Sequence, residues 1–539
     1  PSNPEVEMVW NRYYTYDGIT DFCKKLADAH PNLVKVESIG KSYEGRDIWA
    51  LTITDNSVGN ADKKPGFYID GNIHSNEIQG AEFAMYIAWY LAESHNEVDY
   101  ITSILQDKVF YIVPTINPDA RENFMTAPNT MHSPRSGMIP IDNDRDNLYD
   151  EDGMDDLDGN GSITQMRRKS KRGRWKQDPD DPRLMVRVGV DEQGDYELLG
   201  SEGFDNDGDG RVNEDGTGYY DPNRDWGWNW QPNYVQRGAY KYPFSVPENA
   251  CVKDFVLQHM NIAGAQSFHN TGGMLLRGPG AEEDKGTYNA TDIQVYDAIG
   301  EKGEKLIPGY DYLTVYKDLY SVFGGELDWF FGSLGVITFT NELYTSYMMF
   351  NEREASNADR YAFDKDLLFE DAFVEWKAFD HPQYGAIEIG GFKKNYTRAN
   401  PGFLIESDAH RNMAFCLYHA YHTPKLVIDE VKERSLGGGL KEITVTVANE
   451  RMIPTHTNHD VKNNIARPDY ISIKGVQPIA GMVVQDEDLN ISVEQKNRPE
   501  RIAVDNIPGN GTVKVRWIVK GNGNYTIDVD SLRGGVVSQ

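Results

Sequence analysis

The sequence predicts an α/β domain, a mixed sheet flanked by helices, followed by an all-β sandwich. Three observations predict it. Strand-like apolar runs alternate with helix-period segments over residues 16–115 and again over 246–342. Between them, about 117–222 is rich in Asp, Gly, Pro and Arg and has little periodicity. After Pro424 only short alternating strands remain. The expected division is a domain at 1–423 with an insertion at about 120–220, and a sandwich at 424–539.

In chain order, Tyr16 to His30 sets Ile19, Phe22, Leu26 and Ala29 at helical spacing, and Pro31-Asn32 ends it. Val34–Ile39 and Asp47–Thr54 read as strands across a turn at 41–45. Gly66–Asp70 is a third strand. It leads through Gly71-Asn72-Ile73-His74-Ser75-Asn76-Glu77-Ile78-Gln79-Gly80 into a helix ending near Ser94. A helix at Val98–Leu105 and a strand at Lys108–Thr115 follow. Past the irregular region come helix Val246–Asn261, strand Ile262–Phe268, helix Thr291–Lys305, the segment Tyr320–Phe331 and strand Gly335–Asn341. An amphipathic helix is expected at about Asp359–Phe379 and a closing helix at 402–422. The sandwich strands are Leu426–Ile428, Glu442–Asn449, Tyr470–Ile473, Asn490–Glu494, Gly511–Lys520 and Gly523–Val529.

Charge bounds the partners. With 54 basic against 84 acidic residues, the net charge is −30. That argues against nucleic acid or an anionic membrane surface, both of which need basic patches. Cys23, Cys251 and Cys416 are odd in number and too far apart for a metal knuckle. They read as small buried hydrophobes. No apolar run approaches the ~20 residues of a membrane span. Pro1 rather than Met opens the chain, which points to a removed leader.

The chemistry gathers at strand ends. His74 and Glu77 stand three residues apart where a strand turns into a helix, so both side chains can face one way. An imidazole and a carboxylate are two of the three ligands of a His₂Glu zinc site. His269, at the end of strand Ile262–Phe268, is the expected third, because the carboxyl ends of parallel strands carry the sites of α/β proteins. Zinc so held leaves a position for water and lowers its pKa to about 7. Glu342, at the end of Gly335–Asn341, is a carboxylate placed to act as general base.

In this order, His74-x-x-Glu77, Asn223-Arg224, His269, Tyr320 and Glu342 resemble the zinc metallocarboxypeptidases of the carboxypeptidase A and B type over about residues 8–350. The resemblance implies one catalytic zinc, a peptide substrate with a free C-terminus, and the following roles. Asp221-Pro222-Asn223-Arg224-Asp225-Trp226 is similar to the motif whose Asn and Arg clamp the terminal carboxylate, a pairing that suits a guanidinium fork. Asp221 is then the acceptor that orients His74. Met166-Arg167-Arg168-Lys169 resembles the stretch carrying the arginine that polarises the scissile carbonyl; Arg168 is the assignment, with Arg167 open. Tyr320 matches the mobile tyrosine, and Phe339-Thr340-Asn341-Glu342-Leu343 the general-base motif. Leu327 falls at the pocket floor and implies an apolar C-terminal side chain, while Glu326 beside it leaves a basic one open. Two positions depart from the family: Asn76 replaces an arginine and Asn270 a serine.

The insertion carries calcium-type loops. Asp142, Asp144 and Asp146 begin a series that Asp156, Asp158 and Asn160 continue and Asp205, Asp207 and Asp209 repeat. The last two sets have oxygens at positions 1, 3 and 5, Gly at 6 and an aliphatic at 8, like the first half of an EF-hand loop. Neither has Glu at position 12. One or more structural calcium ions are expected, stiffening the insertion, with the basic run Arg167–Lys176 pairing with these acids. Calcium loops fit a secreted or periplasmic location. Two other functions remain open on the same fold: a zinc amidase acting on cell-wall peptides or small amide conjugates, and a non-catalytic binding protein.

Overall fold

The computed structural model describes residues 1–143 and 145–539. Eight strands form one mixed sheet in the order Val34–Lys41, Asp47–Ile53, Val109–Val113, Gly66–Gly71, Ile262–Asn270, Ile337–Leu343, Met274–Arg277, Asp311–Thr314. The four strands from Val109–Val113 to Ile337–Leu343 are parallel. Gly66–Gly71 and Ile262–Asn270 are buried at every residue, as strands covered on both faces are, and the polar residues they bury, Asp70, Gln266, Ser267, His269 and Asn270, lie toward their carboxyl ends. The register sets Asp70 beside Ser267 and Glu342 beside His269, so the parallel strands end level with one another.

Helix Gln79–Glu93 is apolar nearly all round because it is covered nearly all round. One side packs on the sheet and the other meets Ile405, Ala409, Met413 and Phe415 of the closing helix, Gly402–Tyr421.

The stretch expected to be irregular is partly regular. It holds helix Pro118–Thr126 and strands Gln165–Gly173, Trp175–Gln177, Met185–Arg187 and Gly194–Ser201. With Phe373–His381 and Gly385–Phe392 these strands make a second, antiparallel sheet of six. The helix expected to reach Phe379 ends at Leu367. Phe369 and Glu370 take φ of 57° and 66°, which a right-handed helix cannot continue. The basic run pairs with Glu388, Glu197 and Glu192, not with the Asp-rich loops. Arg167 and Arg168 of the basic strand find their acids on neighbouring strands of the same sheet, and Lys176 finds Glu192 in the turn before Gly194.

Beyond Pro424, antiparallel sheets of five and four strands face each other. Val445, Val515 and Trp517 from one interlock with Ile471, Ile502 and Val529 from the other. Trp517 is fully buried, and its indole N–H donates to Pro499 O (2.7 Å), so truncation to Ala should cost ~3–5 kcal/mol. Strands Gln477–Asp486, Arg501–Val504 and Gly535–Ser538 were not evident in the sequence. The first is mostly half-exposed, so its apolar alternation is weak. This unit docks on the turn that feeds the Glu342 strand. Thr457 Oγ1 donates to Gly335 O (3.0 Å), the His459 ring meets Gly332 O (2.8 Å), and Arg533 donates to Leu334 O.

Candidate active site

The loop between Gly66–Gly71 and the Gln79 helix is held tightly. Gly71 and Gly80 approach so closely that a Cβ on Gly71 would lie 2.6 Å from the Gly80 carbonyl. Asn72, at φ 60°, donates its side-chain amide to His74 O (2.6 Å). Arg121, fully buried, bonds Asn72 Oδ1 (3.0 Å), Ile78 O (2.9 Å) and Glu82 (2.6 Å). Breaking such a buried charge pair costs about 3–5 kcal/mol.

On this frame Glu77 Oε2 lies 3.0 Å from His74 Nδ1 and 3.1 Å from His269 Nδ1. One donor atom from each of the three falls within 4.8 Å of the others, and all three residues are buried. His74 Nε2 meets Asp221 Oδ1 at 2.8 Å. A hydrogen bond there holds the proton on Nε2 and leaves the Nδ1 lone pair facing Glu77. Burial opposes ionisation of Glu77 and Asp221. The imidazoles and Arg135 outweigh it at Glu77, and Arg224, His74 and Arg135 do so at Asp221, holding both well below the ordinary carboxylate range.

The cleft over this cluster is lined by Arg135, Asn223, Arg224, Tyr320, Leu327 and Glu342, together with Leu276, Val315 and Val322. Burial pushes Glu342 up to about 7, with His269 pulling it down and Glu77 pushing it up. Asn223 Oδ1 accepts from Glu326 N (2.9 Å), which fixes the side chain at the cleft wall. Tyr320 is 60 % exposed at the cleft mouth. Leu276, Val315 and Leu327 pack into one apolar floor. Glu326 is turned away from it, bonded to Ser267 (3.2 Å) beside Asp70. Asp328, the carboxyl at the floor, accepts from Gly280 N (2.8 Å) and the Tyr288 hydroxyl (3.2 Å).

A family model described as zinc carboxypeptidase matches residues 19–360. The chain belongs to the zinc carboxypeptidase family. Residues 425–539 match a second model, a domain of unknown function, DUF8731. Carboxypeptidase B of Astacus astacus is 38% identical over 112 residues, 21% of this chain and 35% of that protein. Carboxypeptidase D of Anas platyrhynchos is 29% identical over 117 residues, 22% of this chain and 8% of that protein. The chain thus spans well under two thirds of these relatives. Among solved structures, carboxypeptidase A from Helicoverpa armigera is similar at 16% identity, covering 77% of this chain and 75% of that one, with a TM-score of 0.46.

The metal this family implies is zinc, and the residues fit it. His269 Nε2 and His74 Nδ1 are buried without a hydrogen-bond partner, and two imidazoles with one carboxylate are a zinc donor set.

The assignment of Arg168 to the zinc carboxypeptidase site is corrected. Arg168 lies on the second sheet, paired with Glu197 (2.8 Å) and over the Tyr384 ring, and does not line the cleft. Arg167 is likewise engaged, bonded to Glu388 and stacked on Trp376. Two other guanidiniums reach the cluster. Arg135 is 3.6 Å from Glu77 and 3.7 Å from Asp221, and Arg398 is 3.5 Å from Glu77. Arg398 also donates to Asn270 O (2.9 Å) and comes from beyond the family match. Both stand in irregular segments, where no periodicity marks a residue as inward-facing. Asn76 and Asn270, the departures from the family pattern, brace these segments: Asn76 donates to Met131 O (2.9 Å) and Asn270 to Arg398 O (2.8 Å).

In the insertion, Asp156 and Asp158 gather with Glu202, and Asp205, Asp207 and Asp209 gather with one another, donor atoms within 4.8 Å in each group. Asn160 sits in the first of these loops, its N–H on Asp156 (3.0 Å). Asp142 accepts from Arg145 N and Asn147 N, and Asp146 from Leu148 N. Asp144 lies outside the described residues.

Proposed function

We propose that the protein is a zinc carboxypeptidase that removes C-terminal residues, apolar ones first, from peptides. The observation that carries this reading is the meeting of the His74, Glu77 and His269 cluster with a cleft that holds a buried carboxyl, Glu342, and two guanidiniums, Arg135 and Arg224. Zinc, when bound, supplies Lewis-acid activation of water and of the scissile carbonyl. Glu342 takes the proton of the attacking water and returns it to the leaving amine. Arg135 donates to the carbonyl oxygen as it gains charge. Asn223 and Arg224 read the terminal carboxylate, Tyr320 folds over bound substrate, and the Leu276–Val315–Leu327 floor receives the last side chain. Asp221 keeps His74 in the tautomer that leaves Nδ1 free.

The acidic loops are read as calcium sites, because each presents oxygen donors alone. They support a secreted or periplasmic location. Among the described residues no helix is long and apolar enough to cross a membrane.

The test is hydrolysis of blocked dipeptides ending in free Phe, Leu, Lys, Arg or Glu, with wild type and Glu342→Gln, after zinc is measured. Cleavage of Phe and Leu substrates, lost in the variant and on amidating the C-terminus, is the expected result. Amidated substrates cleaved as well as free acids would replace the carboxypeptidase by an amidase.

A further inference from the structure

The acidic insertion contains a repeat. Asp-Asn-Asp-x-Asp-x-x-x-x-Glu-Asp-Gly occurs at 142–153 and again at 205–216. The copies match in backbone too: Arg145 and Gly208, Asn147 and Gly210, and Asp150 and Asn213 all take positive φ at equivalent positions. An antiparallel bridge joins Asp152 to Asp215. Each of these aspartates reaches into the other copy. Asp215 Oδ1 accepts from Asn143 N (3.2 Å), and Asp152 Oδ1 from the equivalent Asn206 N (2.9 Å).

What points to a ligand is a set of buried oxygens without donors. Both carboxylate oxygens of Glu151, both of Glu214, and Oδ2 of Asp215 are closed to solvent and meet no hydrogen-bond donor. Asp215 is 1 % exposed. Glu151 is set against Asp215 and Asp146, and the equivalent Glu214 against Asp152 and Asp209. Buried carboxylates that face each other need a shared proton or a cation between them. Oxygen donors without nitrogen or sulfur select a hard cation.

We propose that the two copies form one paired unit for two divalent cations of the calcium class, each cation bound by carboxylates from both copies. One takes Asp142, Asp146 and Glu151 with Asp215. The other takes Asp205, Asp207, Asp209 and Glu214 with Asp152. The proposal rests on the calcium reading above and adds the crossed donors and the pairing. It also gives the insertion a task. The first copy begins shortly after Arg135 and the second ends shortly before Asp221, and the intervening stretches pack together. A Cβ on Gly137 would lie 1.9 Å from the Tyr220 hydroxyl, and Ile139 N donates to that hydroxyl (3.4 Å). Cations at the root of the insertion therefore hold Arg135 and Arg224 on the cleft they serve.

The experiment is calorimetric titration of calcium chloride into the zinc-loaded full chain, with Asp156→Asn and Asp158→Asn present to silence the third acidic group. Two ions per chain are expected. Glu151→Gln with Asp215→Asn should leave one ion, because both serve the same cation. Glu151→Gln with Asp152→Asn should leave none, each losing about tenfold or more in affinity. Circular dichroism checks folding, and a pair that fails to fold is replaced by the corresponding single exchanges, read as loss of one ion each. No calcium bound by the parent, or one ion left by Glu151→Gln with Asp152→Asn, would overturn the crossed unit. Peptide cleavage is followed alongside. Two ions bound by a chain that cleaves nothing would support this unit and defeat the peptidase reading.

Discussion

Replacing Arg135 with alanine should cost the enzyme about 10²–10³ in kcat, which is ~2.7–4 kcal/mol of transition-state stabilisation. The expectation comes from how little Arg135 is committed. Its guanidinium stands 3.6 Å from Glu77 and 3.7 Å from Asp221, beyond hydrogen-bond reach, and Nη1 is buried without a partner. Burial works against its charge, but Asp221, Glu77 and Glu342 outweigh burial and keep it protonated. A fixed, charged, unspent donor can therefore turn to an oxygen that becomes negative during the reaction. Coulomb's law gives a similar size, about 4 kcal/mol for unit charges at 4 Å and an effective dielectric of 20. Arg168 is the control. Its pair with Glu197 is at the surface, where such pairs are worth ~0–1 kcal/mol, so Arg168→Ala should leave kcat within about twofold. The assay is steady-state hydrolysis of a blocked dipeptide ending in free Phe, with zinc content measured for each variant because Arg135 also neighbours Glu77. Unchanged kcat in Arg135→Ala at full zinc loading, or a larger loss in Arg168→Ala, would refute the reasoning.

Glu342→Gln should keep zinc and lose about 10²–10⁴ in kcat. The base works ionised, so wild-type kcat/KM should fall as pH drops through the Glu342 pKa, which burial sets at about 7 and a bound cation moves lower; the same acid limb surviving in the variant would exclude it as the base. Arg224→Ala should lower kcat/KM by about 10–100-fold on substrates with a free C-terminus, mostly through KM; an equal loss on amidated substrates would show that it does not read the carboxylate. His456, in the C-terminal unit, is lowered by burial, but hydrogen bonds to Asp460 and Asp469 outweigh that and raise it to about 9. A raised folded-state pKa stabilises fully below the unfolded value of about 6.5 and is lost as pH climbs through 9. Wild-type Tm should therefore fall over pH 6.5–9 relative to His456→Gln, and parallel curves would contradict the assignment.

Some of this protein was legible in one dimension. Strand alternation, helical period and strand-end residues are local, so the sequence alone determined six of the eight strands of the central sheet, missing the short Met274–Arg277 and Asp311–Thr314, and pointed to His74, Glu77, His269 and Glu342, which the fold brings together. Short Asp-rich loops were visible for the same reason, since their donors sit two residues apart. The second sheet was not, because the turn at Phe369-Glu370 uses left-handed residues without glycine and leaves no mark. Nor was the choice of Arg135 and Arg398 over Arg168. A guanidinium on a loop has no periodicity to declare its direction, and a run of arginines on a strand looks the same whether it meets substrate or Glu197 and Glu388. The partner of Glu151 lies across the bridge at Asp215 rather than beside it in the chain, and only packing such as Tyr220 on Gly137 decides that distance. Spacing along the chain determined which residues could bind a metal; tertiary contacts decided which charges face the cleft, because those distances are set by what packs between.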